Sequence, residues 1–211
     1  LNEIGEGVTP FPYRRTGVNK VDTWMSIMSE YKGDGSSVRE EDLPAIEYAF
    51  KSDKATYKVK IFGNFSRHIF INFSGKPTPA DQAHRYTLRI AIAFDDASNP
   101  DLGQPGKERI TNYGEQFKVL STVTEISLEV AKEIMEIEWV KLSEIHVGPK
   151  LESGEEGKPV TQTKRGRLYL EYIKKQGAKL PGNWTASIQE DRFVLHNAKI
   201  SSTNPDKYID L

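Results

Sequence analysis

The chain has 211 residues, with 29 basic and 30 acidic side chains, a net charge of −1 and no cysteine. The missing cysteine excludes disulfides, thiolate metal sites and thiol nucleophiles, and it fits a reducing compartment, so a cytoplasmic or virion-associated location is expected. An apolar content of 37% beside 28% charged residues is that of a chain that folds, and the longest apolar runs, such as Ile90-Ala91-Ile92-Ala93-Phe94, are far too short for transmembrane insertion.

Residues 1–18 hold Gly5, Gly7, Pro10, Pro12 and Gly17 and read as an irregular N-terminal arm, with Phe11 and Tyr13 as candidate protein contacts. Asn19 is placed to cap a helix whose buried side is Val21, Trp24, Met28 and Tyr31, ended by the Gly/Ser-rich run at 33–37. A second short helix is expected over 43–50, with Asp42 as cap and Pro44 in its first turn. Alternation is strongest over 56–73. There Tyr57, Val59 and Ile61 share one face, Lys58, Lys60 and Phe62 share the other, and Gly63-Asn64 interrupts the pattern. The interruption predicts an antiparallel hairpin, whose second limb sets Arg67, Ile69, Ile71 and Phe73 against His68, Phe70 and Asn72. Glycine and proline at 75–79 mark a turn.

The next strand is expected over 86–94, where small Ala91 and Ala93 sit opposite Leu88, Ile90 and Ile92 and predict a helix packed over the second face of the sheet. A long loop follows over 95–112. Ile126, Val130, Ile134 and Ile137 predict a helix over 124–138, although Ile126, Leu128 and Val130 also alternate as a strand would. The chain then returns to the sheet over 139–147, passes through a Gly/Pro-bearing insertion at 148–164 and forms a helix over 166–176 closed by Gly177. Alternating runs at 184–188 and 193–200 pair as a hairpin across Glu190-Asp191, and 201–211 is a C-terminal tail. The fold class expected is α+β, a mostly antiparallel sheet with three or four helices, forming one globular domain over 19–200.

Charge is segregated along the chain: residues 51–90 carry eight basic and two acidic groups. Lys58, Lys60, Phe62, Arg67, His68 and Phe70, with Arg85 and Arg89 from the next strand, form a candidate nucleic-acid face, because cations hold phosphate while aromatic rings stack on bases. Strand parity sets Arg67 opposite His68 and Phe70, so a bulge is needed to gather them all. A second basic cluster, Lys164, Arg165 and Arg167 followed by Lys174 and Lys175, suits an anionic membrane surface, RNA or an acidic protein. Asp95, Asp96 and Asp101 are the acidic group best placed at a strand end to hold a divalent ion for hydrolysis. His68, His84, His146 and His196 occur singly, without metal-ligand spacing, and no nucleophile, base and orienting group follow one another recognisably. No cofactor or metal is therefore expected. The leading functional expectation is a non-enzymatic structural, assembly or adaptor protein acting through protein partners or self-assembly, a class that includes viral structural proteins. The alternatives are RNA or single-stranded DNA binding and metal-dependent hydrolysis.

Overall fold

Side chains that alternate between buried and exposed along successive strands build one mixed sheet, and the three described helices gather on the face where the buried members meet. The computed structural model describes residues 8–17, 19–31, 44–70, 84–98, 115–137, 140–147, 164–189, 192–197 and 208–210. The expected turns at 75–79 and 190–191, most of the loop at 95–112 and nearly all of the insertion at 148–164 lie outside the described residues, as do the side chains of Met28 and Tyr31.

The strands are β1 (Tyr13–Arg15), β2 (Ile46–Lys51), β3 (Thr56–Phe70), β4 (His84–Asp96), β5 (Val140–Val147), β6 (Trp184–Gln189), β7 (Arg192–Asn197) and β8 (Tyr208–Asp210); the helices are α1 (Val21–Tyr31), α2 (Gln116–Met135) and α3 (Lys164–Gly177). The sheet runs β1-β2-β3-β4-β5-β7-β6, and β8 pairs with the far end of β3. Among the described strands only β4 and β5, which α2 connects, pair parallel; the other pairings are antiparallel. The α+β class expected from sequence is the one observed.

Several expectations are corrected. Residues 46–51 are a strand, not the helix expected over 43–50. Ile46, Tyr48 and Phe50 are buried while Glu47 and Ala49 are half-exposed, and pairing with β1 and β3 on both edges outweighs the local cap signal of Asp42 and Pro44. No hairpin turn occurs at Gly63-Asn64, because β3 is continuous and stays in register with β4 from Tyr57↔Asp96 to Ile69↔His84. Gly63 answers a different need. A Cβ there would lie 3.2 Å from the Trp24 ring and 3.3 Å from the Leu88 side chain, so the missing side chain makes room for Trp24, which is fully buried. The Trp24 indole N–H donates to the Pro44 carbonyl, completing the burial of its polar atom.

Asn19 does not cap α1. Its side-chain amide donates to the Ala45 carbonyl at 3.1 Å and ties the helix start to β2, while the Thr23 hydroxyl accepts the Lys20 N–H. Helix α2 begins well before the expected 124 and is buried around much of its circumference, which is why Ile126, Leu128 and Val130 are all inside although they alternate. Two of the hydroxyls this buries are satisfied within the helix, Thr122 donating to the Lys118 carbonyl and Ser127 to the Val123 carbonyl, while Ser121 donates to the Val8 carbonyl.

The N-terminal arm joins the fold, with β1 as an edge strand. Tyr13 donates to Glu129, Tyr48 donates to the other oxygen of the same carboxylate, and Arg15 bonds Glu133 and the Tyr48 hydroxyl. Burial first, then the Glu129 hydrogen bond and charge, push the Tyr13 hydroxyl well above the ordinary tyrosine range. It is therefore a donor at all physiological pH. Part of the expected tail also joins the sheet as β8.

All three helices lie on one face. Trp24 of α1 meets Gly63, Glu129 and Glu133 of α2 meet β1 and β2, and Gly177 and Tyr169 of α3 meet Leu195 and Phe193. The helix expected over Ala91 and Ala93 is absent among the described residues. Both alanines belong to the opposite face, where they neighbour Phe62 and Lys60.

Gly63→Val should crowd the rigid Trp24 ring and cost about 1–3 kcal/mol. Urea unfolding should show a lower midpoint with an unchanged slope; an unchanged midpoint would contradict the close approach.

Candidate functional site

Alternation carries Lys58, Lys60 and Phe62 of β3 and Arg89 of β4 to the helix-free face, as their spacing predicts. Each cation meets an acid there. Lys58 is the register partner of Asp95, Lys60 Nζ lies 3.5 Å from Glu47 Oε1, and Arg89 is the register partner of Glu144. Phe62 is half-buried opposite Ala91. Arg67, His68, Phe70 and Arg85 lie along β3 and β4, with side chains outside the described residues.

The second basic cluster does not converge with the first, because α3 packs on the other face of the sheet. Arg167, Lys174 and Lys175 are exposed on α3, and Lys174 is paired with Glu171 at 2.8 Å. The side chains of Lys164 and Arg165 lie outside the described residues.

Phe11 is not an exposed contact. Its ring is 6% exposed and stacks on Phe50 with centroids 5.9 Å apart, because this apolar side chain caps the end of the core, and its N–H donates to the Thr122 hydroxyl. Tyr13 is held by Glu129, so both residues staple the arm to α2. Asp95 and Asp96 shape the end of β4: Asp95 accepts the Asp96 N–H at 2.7 Å, and Asp96 accepts the Ser98 N–H at 2.8 Å. Asp101 lies outside the described residues. Among the described residues no three His, Asp or Glu side chains come together to hold a metal.

The most organised polar arrangement is one that sequence spacing does not reveal. Leu88 pairs with Leu142, but Arg89 pairs with Glu144, leaving Ser143 as an extra residue in β5 whose hydroxyl donates to the Leu88 carbonyl. This bulge changes the parity of the strand. It turns Glu144 and His146 onto the helix-free face and keeps Ile145 and Val147 in the core. His196 of β7 is the register partner of Glu144, and Ser187 of β6 lies diagonal to it.

The four side chains bond in series. Glu144 Oε2 is 2.7 Å from His146 Nε2, Glu144 Oε1 is 3.1 Å from His196 Nδ1, and Ser187 Oγ is 2.9 Å from His196 Nε2. An ionised carboxylate accepts, so it places a proton on the ring nitrogen facing it. In its neutral form His196 then carries Nδ1–H and accepts the Ser187 hydroxyl proton at Nε2. One carboxylate thus orients two imidazoles, and one imidazole orients a hydroxyl.

Burial alone would raise the Glu144 carboxyl, but the His146 hydrogen bond and the positive charges of His146, His196 and Arg89 hold it below the usual carboxylate range. Burial lowers His146, and the charges of Arg89 and Arg192 add to that; the Glu144 hydrogen bond and charge oppose the shift without reversing it. Both folded-state values are depressed. Both groups therefore contribute stability that is present above their unfolded values and lost as pH falls. Urea midpoints should decline first below about pH 6.5, the unfolded histidine value, and again below about 4.5, the unfolded glutamate value. His146→Gln should remove most of the first decline; a variant that retains it in full would contradict the assignment.

Compared with known proteins, the chain matches no family, no curated protein and no solved structure.

Proposed function

We propose that this chain is an assembly protein that joins a second copy of itself through the edge of β6 that no described strand pairs. The observation that supports the reading is the contrast between the two ends of the sheet. At one end β1 is three residues long and carries Arg14 and Arg15, so it is short and charged, as edges that avoid pairing are. At the other end β6 reads WTASIQ over six residues, with no charge and no proline, and β7 is its one strand partner among the described residues. Thr185 is exposed, and Trp184, Ala186, Ser187 and Ile188 are half-buried. An unprotected edge offers a row of N–H and C=O groups to an incoming strand. Antiparallel pairing of β6 with its copy satisfies both rows and closes a two-fold dimer.

Nucleic-acid binding through Lys58, Lys60, Phe62 and Arg89 has less support. Acidic neighbours accompany all three cations, which weakens the local positive field that holds a phosphate backbone.

Light scattering from micromolar to near-millimolar concentration should show the mass rising toward that of a dimer. Thr185→Lys puts a charge on the exposed side of the edge and should hold the chain monomeric without lowering its urea midpoint. A wild-type chain that stays monomeric throughout, or a variant that associates as readily, would overturn the reading.

A further inference from the structure

We infer that Ser187 is a nucleophile toward activated carboxylic esters, with His196 as its general base and Glu144 as the group that orients the base. The inference rests on connectivity. Ser187 Oγ is 2.9 Å from His196 Nε2, and His196 Nδ1 is 3.1 Å from Glu144 Oε1, so hydroxyl, imidazole and carboxylate stand in the order that nucleophile activation needs. Chain order has no bearing on this, because the three groups come from three different strands: β6, β7 and β5.

Several features of the surroundings serve the same chemistry. The second Glu144 oxygen is held by His146 at 2.7 Å, which fixes the carboxylate that fixes His196. Ser187 is half-buried on a strand at the margin of the sheet. Arg192 sits two residues along β7 from Val194, the register partner of Ser187, and so lies diagonal to the hydroxyl on the same face. Its charge, with that of Arg89, acts on His146 across the cluster.

In the reaction, Ser187 Oγ bonds to the ester carbonyl carbon while its proton passes to His196 Nε2. Collapse of the tetrahedral species breaks the bond to the leaving oxygen, which takes that proton and departs as the alcohol. Water then repeats the sequence on the acyl-serine: His196 accepts its proton, the acid is released and Ser187 regains its hydrogen. No further reactant is needed. The Ser187 hydroxyl projects from the sheet face, whereas strand addition uses backbone groups in the sheet plane, so this activity stands or falls apart from assembly.

A fluorophosphonate probe tests it on the full chain: Oγ bonds to phosphorus, fluoride leaves and His196 takes the proton. Intact mass and peptide mapping should find one adduct, on Ser187. Ser187→Ala should carry none, and His196→Gln should label about 100-fold more slowly at unchanged circular dichroism. Glu144→Gln should slow labelling and displace its pH profile, a change that loss of packing alone does not make. No adduct on Ser187 of the folded chain, or labelling of His196→Gln at the wild-type rate, overturns the inference.

Discussion

The long pairing of β3 with β4 sets the side-chain parity on which every other feature depends. Its register is unbroken from Tyr57↔Asp96 to Ile69↔His84, and a slip of one residue would turn the apolar set of one strand to the face opposite that of the other. With that register in place, Val59, Ile61, Leu88 and Ile90 turn toward the helices, and Lys58, Lys60, Asn64 and Arg89 turn away. β2 inherits the same parity through Ile46↔Ile61 and Tyr48↔Val59, and β5 inherits it through Leu88↔Leu142. The sheet is thereby sorted into an apolar face that takes three helices and a mixed polar face that takes none among the described residues.

Parity is changed at one point along this path, and the polar cluster exists because of it. Were Ser143 paired as an ordinary strand residue, Glu144 would share the helix-side face of Leu142, where an ionised carboxylate beside Leu88 and Ile90 has no partners. The bulge spends one residue of ladder and brings Glu144 beside Arg89, His146 and His196 instead. A comparable economy of acids operates across the core at the other end of the sheet. Glu129 and Glu133 of α2 receive Tyr13, Tyr48 and Arg15, so the N-terminal strand is held by hydrogen bonds whose donors stay protonated, as well as by the burial of Phe11.

What could be read in advance was what local periodicity controls. The β6–β7 hairpin, α3 with its end at Gly177, and the shared face of Lys58, Lys60 and Phe62 follow from alternation or helical spacing within a single element. What could not be read was decided by partners distant in sequence. β2 carries a local helix-start signal, and only its pairing on both edges makes it a strand. Gly63 looks the same in sequence whether it turns the chain or admits a tryptophan from another element, and Trp24 lies far upstream. The Glu144 cluster draws on β5, β6 and β7, so its histidines show no common spacing. One trace was available: apolar positions run Val140, Leu142 and then shift phase to Ile145, Val147, which is the mark of an inserted residue at Ser143 or Glu144.

On the assembly reading, the β6 edge is open in the single chain and closed in the assembly. Amide hydrogen exchange, followed residue by residue through 184–189 in dilute and concentrated solution, tests it most directly. If β6 pairs with its copy, β6 amides facing away from β7 exchange quickly when dilute and become protected as concentration rises, while those of β4 remain protected in both. Edge amides already protected in dilute solution, or equally unprotected at both concentrations, would contradict it.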